Sequence, residues 1–225
     1  MTSRRVPALP ETKRGGDPEA DEILDLFLAP RPRIFVISGP SGVGKDEILA
    51  AVKACRPGLH FVVTATTRPR RAGEVDGVDY HFVTMTAFAA MIEAGELLEH
   101  AVVYGDYKGI PRQQVQAALD SGQDVILRID VQGAQTIRRL LPAAVFVFLA
   151  AESMPELERR LCERKSEPED RLKMRIATAR QEMRRAREFD YVVVNRRDQV
   201  DRTVEVLLAI LTAERHRVQA VPLGR

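Results

Sequence analysis

The chain has 225 residues, 45% of them hydrophobic and 29% charged, with a formal net charge of +2 at neutral pH. That is enough chain for one large α/β domain with insertions. No apolar run approaches the ~20 residues a membrane span needs, and so slight a net charge gives no reason to expect nucleic acid as a partner. The two cysteines, Cys55 and Cys162, lack metal-ligand spacing and a secretory signal, which predicts reduced thiols without catalytic duty in a cytoplasmic protein.

In chain order, residues 1–32 combine Pro, Gly and mixed charge around one apolar patch, Ile23 to Leu28, which predicts a short helix before Pro30 and Pro32. The segment reads as a flexible extension. Its acids, Glu11, Asp17, Glu19, Asp21, Glu22 and Asp25, argue against an organelle transit peptide, which is poor in acids; a partner-binding helix is the alternative. Next, Ile34-Phe35-Val36-Ile37 predicts a buried strand and Ile48 to Val52 a helix. Between them lies Gly39-Pro40-Ser41-Gly42-Val43-Gly44-Lys45-Asp46. Three glycines let backbone N–H groups converge on an anion, the helix adds its positive end, and Lys45 adds a movable charge, so this strand, loop and helix predict a polyphosphate site. Asp46 stands where such loops carry a metal-binding Ser or Thr. A carboxylate there repels phosphate unless something neutralises it.

Further strand-like runs at Phe61 to Val63, Val125 to Leu127, Val145 to Leu149 and Tyr191 to Val194 alternate with helical patterns. This predicts a parallel sheet covered by helices. Between Arg68 and Tyr107 the pattern changes to short extended pieces, Tyr80 to Val83 and Leu97 to Glu99, around a helix near Phe88 to Ile92, which predicts an inserted subdomain. The loop from Thr66 to Tyr80 gathers Arg68, Arg70, Arg71 and a phenol; it suits a second phosphate group and, taken alone, also fits a solvated surface. Residues 164–187 are strongly charged and helical, and 216–225 read as a tail.

Thr66-Thr67-Arg68, Arg71, Gly73-Glu74-Val75 and Asp79-Tyr80 with Phe82 occur in the order found in guanylate kinases. The resemblance continues through Glu99, Asp130-Val131-Gln132-Gly133, the charged segment after Arg164 and Tyr191-Val192-Val193-Val194-Asn195, and covers nearly all of residues 33–213. It implies an α/β P-loop nucleoside monophosphate kinase fold over 33–215, with a parallel sheet core, a GMP-binding insertion at about 68–110 and a helical lid at about 164–187. The implied activity is ATP-dependent phosphorylation of GMP, and of dGMP, in purine nucleotide metabolism. ATP and GMP are then the partners, Mg²⁺ arrives with ATP, and neither nucleic acid nor membrane is expected. By the same resemblance Gly39, Pro40, Ser41, Gly42, Val43, Gly44, Lys45, Asp46 and Asn195 bind ATP. Arg68, Arg71 and Tyr80 hold the acceptor phosphate, with Lys108 able to replace a phenol contact usual in the family, while Thr64, Glu99 and Asp130 meet the base. Lys45, Arg68, Arg164 and Arg175 serve the transfer itself. Glu99 has a chemical reason to be there: guanine presents two adjacent donors that one carboxylate accepts, whereas adenine presents an acceptor.

Three positions depart from the family's usual pattern. Asp46 replaces Ser or Thr, Arg128 replaces an acid, and Tyr107-Lys108-Gly109-Ile110-Pro111 lacks the hydroxyl that meets guanine. The first two exchange sign, which predicts an Asp46–Arg128 ion pair; the alternative is that Asp46 reaches Mg²⁺ through water. These variations together are similar to the plant plastid branch of the family. Two other readings are a ribose 1,5-bisphosphate phosphokinase, which has no use for Glu99, and a non-catalytic guanylate-kinase-like binding module, which has no use for Lys45.

Overall fold

The structure, a computed structural model, describes residues 17–18, 32–103, 105–163 and 169–217. The helix expected at 23–28, Arg164 and most of the tail lie outside the described residues. Within the unit Pro32–Arg225 there are two sheets. The first has the order β2-β7-β1-β8-β9, with every pairing parallel. Its strands are β1 (Ile34–Ser38), β2 (His60–Phe61), β7 (Val125–Arg128), β8 (Val145–Ala151) and β9 (Tyr191–Asn195). A strand covered on both faces needs an unbroken apolar run, and all seven residues of β8 are buried.

Alternate residues of β1 feed two cores. Phe35 and Ile37 pack with Leu149 and with Ile48 and Val52 of α1 (Lys45–Cys55), beneath Leu207 and Leu211 of α7 (Val200–Arg215). On the other face, Val36 packs with Leu127, Phe146 and Ile137, beside α3 (Arg112–Asp120) and α4 (Val131–Leu140). Because β1 has β7 on one side and β8 on the other, the loop leaving it opens at the point where the strand order reverses, the usual place for a ligand in such sheets.

The second sheet, order β4-β3-β6-β5, is formed by β3 (Ala65–Thr66), β4 (His81–Phe82), β5 (Leu97–Val103) and β6 (Asp106–Pro111). It is antiparallel except for the β3–β4 pair. Helix α2 (Met85–Glu93) begins at Thr84, whose hydroxyl caps the Ala87 N–H. Phe88 then closes a small core with Ala65, Leu97 and Tyr107. The strand expected over Phe61 to Val63 is shorter than its sequence suggests, for a specific reason. Val62 still donates to Ile126, but both backbone groups of Val63 are taken by the Gln114 amide, at 2.9 and 3.2 Å. After β8, α5 (Met154–Glu163) and α6 (Glu169–Arg184) follow before β9. No described helix is long and apolar enough to cross a membrane.

Phe148 is fully buried and joins Val131, at the start of α4, to Phe189. Phe148→Ala should therefore lower the unfolding free energy by ~3–5 kcal/mol in urea titration.

Candidate active site

Two glycines and one asparagine shape the loop between β1 and α1. Gly39 has φ 145°, and a Cβ placed there would lie 2.2 Å from the Leu149 carbonyl oxygen. Gly44, at φ 93°, caps α1 in the left-handed region without a side-chain cap, so the helix's first N–H groups face the loop. Asn195 is 3% exposed. It donates from Nδ2 to the Val43 carbonyl at 2.8 Å and accepts from Thr203 at 3.1 Å. Arg160 of α5 reaches the same Val43 carbonyl at 3.4 Å.

Helix α6 grips the loop from another side. Arg175 donates to the Ser41 hydroxyl at 2.8 Å, and the Ser41 N–H donates to Glu182 at 3.3 Å. Lys45 turns back to donate to the Gly39 and Pro40 carbonyls at 2.6 and 3.0 Å. Burial lowers its ammonium pKa to about 8, against the opposing charges of Glu182 and Asp46. Burial raises the Glu182 carboxyl, with Lys45 opposing. A polyphosphate in the loop would supply the negative charge that restores Lys45 to full protonation.

Asp46 and Arg128 do pair, with Arg128 Nη1 at 2.5 Å from Asp46 Oδ1. Asp46 is 69% exposed and Arg128 20%, so solvent screening holds the pair to about 1 kcal/mol or less. Arg128 also donates to the Asp79 carbonyl at 3.0 Å and lies 4.6 Å from the centre of the Tyr80 ring. Among the described residues no group of three or more His, Cys, Asp or Glu side chains is placed to hold a metal ion. The donors at the loop, one exposed carboxylate and one hydroxyl, fit a hard cation held mainly by phosphate oxygens and water.

On the second sheet Arg68 forks onto Glu74 at 2.9 and 2.7 Å. Arg68, followed by the Arg71 N–H, holds the Glu74 carboxyl at about 2. The Tyr80 ring has Arg68 at 5.0 Å and Lys108 at 5.7 Å. Arg71 is exposed on the same loop. Two buried acceptors complete the site. Glu99 (6% exposed) pairs across β5 and β6 with Ile110, and Thr64 (3% exposed) immediately precedes β3, whose register places it on the other side of Ile110. Glu99 Oε1 and Thr64 Oγ1 have no hydrogen-bond partner among the described residues. Ile110 itself is buried in the second core cluster. Burial, then the charge of Asp130, raises the Glu99 pKa to about 7. Asp130 caps α4 through the N–H groups of Gln132 and Gly133. A Cβ on Gly133 would press within 3.0 Å of Glu99 Oε1. Buried polar atoms left unpaired are costly, and they suit a ligand that brings its own donors. Lys108 and Asp130 both lie within electrostatic reach of Lys45.

Sequence reading missed Glu182 and Arg160. Glu182 was legible in principle, since it lies seven residues after Arg175 and so on the same face of α6. The Arg128 contact with Tyr80 had no local signal.

The chain matches the guanylate kinase family over residues 31–214. It is 52% identical over 194 residues to "Guanylate kinase 2, chloroplastic/mitochondrial" of Oryza sativa subsp. japonica, covering 86% of this chain and 68% of that one. It is 45% identical over 186 residues to a guanylate kinase of Alkalilimnicola ehrlichii, covering 83% and 91%. A solved guanylate kinase from Anaplasma phagocytophilum superposes with a TM-score of 0.69 at 31% identity, covering 84% of this chain and 89% of that one.

The raised Glu99 pKa carries a stability signature. The folded protein holds this proton more tightly than the unfolded chain, so stability falls as pH rises from 4.5 to about 7 and the loss persists above that. Glu99→Gln should remove that slope, raising stability at pH 8 by ~3 kcal/mol at most, as read from urea midpoints across pH.

Proposed function

The chain belongs to the guanylate kinase family and transfers the γ-phosphoryl group of ATP to GMP; on that premise we propose how its residues divide the work. The loop from Gly39 to Asp46 receives the ATP phosphates, with Lys45 moving from its two loop carbonyls onto the β and γ oxygens. Asn195 supports this loop from beneath. Arg68, Arg71, Tyr80 and Lys108 hold the GMP phosphate. Arg175, with Arg164, closes on the transferred group, which fits the grip α6 already has on Ser41. The GMP phosphate is itself the nucleophile. One of its oxygens forms the new bond to the γ-phosphorus as the bond to the β–γ bridging oxygen breaks, so alignment and charge neutralisation carry the rate. Magnesium carried with ATP, beside Asp46, would neutralise phosphate charge. Closure of α6 would exclude water and so limit ATP hydrolysis.

The observation that carries the acceptor assignment is the buried, unpartnered pair Glu99 Oε1 and Thr64 Oγ1. A carboxylate there suits guanine's N1–H and exocyclic amine, with Asp130 close enough to act on Glu99 electrostatically. These contacts are with base and phosphate, so dGMP is a further acceptor beside GMP. A sugar bisphosphate would leave the pair unsatisfied, and a binding module would not need the Lys45 arrangement. We place the protein in the cytoplasm and its role in purine nucleotide metabolism, in keeping with the two exposed free thiols Cys55 and Cys162.

In an ADP-release assay with ATP and Mg²⁺, GMP should turn over rapidly while AMP and ribose 1,5-bisphosphate do not, and Glu99→Ala should cut kcat/KM for GMP by about a hundredfold or more. Turnover with the sugar phosphate, or an unaffected Glu99→Ala enzyme, would overturn the assignment. GMP binding favours the ionised Glu99, so calorimetry near pH 7 should show proton release on binding, with GMP affinity falling as pH drops below about 7. Glu99→Gln should bind weakly and without that release.

A further inference from the structure

Arg128 makes three contacts that join two separate parts of the site. It ends β7, where the register Ile37↔Arg128 sets it beside the strand that leads into the phosphate loop. One arm of its guanidinium, Nη1, reaches Asp46 in the first turn of α1. The other arm, Nη2, donates to the Asp79 carbonyl. Its Cζ lies 4.6 Å from the centre of the Tyr80 ring, closer than Arg68 or Lys108. The contacts divide the group: one arm for a carboxylate, the other for a carbonyl, with the charge set over a ring. An ammonium has no comparable geometry.

The consequence concerns Asp46 as much as Arg128. By sequence position Asp46 belongs to the ATP-binding loop, yet its carboxylate meets the cation that fixes the neighbouring loop at Asp79 and Tyr80. We propose that Arg128 is a positioning residue for the acceptor phosphate, holding Tyr80 in place with Asp46 as its anchor, so that a phosphate-loop residue serves GMP binding. This rests on the reading of Tyr80 as an acceptor-phosphate ligand. The Asp46 contact is largely exposed and screened, so it is the weaker part of the device. The hydrogen bond to the Asp79 carbonyl is part-buried and less open to solvent than the Asp46 contact.

The test measures GMP binding to the nucleotide-free enzyme by calorimetry and KM for each substrate, in wild type, Arg128→Met, Arg128→Lys, Asp46→Asn and the Asp46→Asn/Arg128→Met double variant. Arg128→Met should weaken GMP binding by about tenfold and Asp46→Asn by about threefold, with the double variant no worse than Arg128→Met. GMP binding to the nucleotide-free enzyme is the deciding readout, because Arg128→Met also leaves Asp46 unneutralised beside the ATP phosphates and raises KM for ATP. Arg128→Lys should recover little, because the charge alone does not reproduce the fork. Unchanged melting temperatures with this loss of GMP binding to the nucleotide-free enzyme support positioning. Equal rises in both KM values with a lowered melting temperature overturn it in favour of general support of the fold. An Asp46→Asn enzyme that binds GMP normally overturns the anchoring role, whatever its Mg²⁺ requirement. Additive effects in the double variant break the anchor. Failure of the wild-type enzyme to phosphorylate GMP would sink the functional reading instead, and is scored separately.

Discussion

The approach of Gly39 to the carbonyl of Leu149 decides where the rest of the site stands. Sheet register brings β1 and β8 side by side, and the chain leaving β1 passes so close to β8 that no side chain fits between them. That passage fixes the first turn of the loop. The loop fixes where α1 begins, and α1 fixes the directions in which Lys45 and Asp46 leave the helix. The Val43 carbonyl, held by Asn195 from the end of β9 and by Arg160 from α5, pins the far side of the same loop. The donor half of the site is thus built from packed strand ends rather than from a free loop, which is how a fold holds converging N–H groups in place without a ligand.

The ligand-free site is electrostatically unfinished in two places, with opposite sign. Burial destabilises the charge of Lys45 in one and that of Glu99 in the other. Each is relieved by what its proposed ligand carries, negative phosphate for Lys45 and guanine N–H donors for Glu99. Such groups cost folding free energy while the site is empty, a pattern found where function overrides stability. The acceptor loop behaves differently. There Arg68 already has Glu74 as a full bidentate partner, so a phosphate proposed to bind there would share or displace an existing bond.

Much of this was legible in the sequence because the fold writes strong local signals. The seven buried residues of β8 show as an unbroken apolar run, and the phosphate loop shows as glycine spacing between strand and helix. The exchange of sign between positions 46 and 128 was also readable, since two departures of opposite charge at neighbouring strand and loop ends suggest a pair. What stayed hidden depends on tertiary contact. Val63 reads as strand but gives its backbone to Gln114, a side chain 51 residues away. Ile110 reads as a position that offers guanine no hydroxyl, but its burial between Thr64 and Glu99 had no local signal.

The double hold of α6 on Ser41 has a dynamic corollary. Arg175 and Glu182 stand two helical turns apart, and they engage the hydroxyl and the amide of one residue. A rigid swing of the helix stretches both contacts together, so the loop's backbone amide loses protection from solvent exchange in step with helix displacement. Order in the loop and attitude of the helix are then one cooperative variable, and a perturbation anywhere along α6 is felt at Ser41 as a change in how long the loop stays formed.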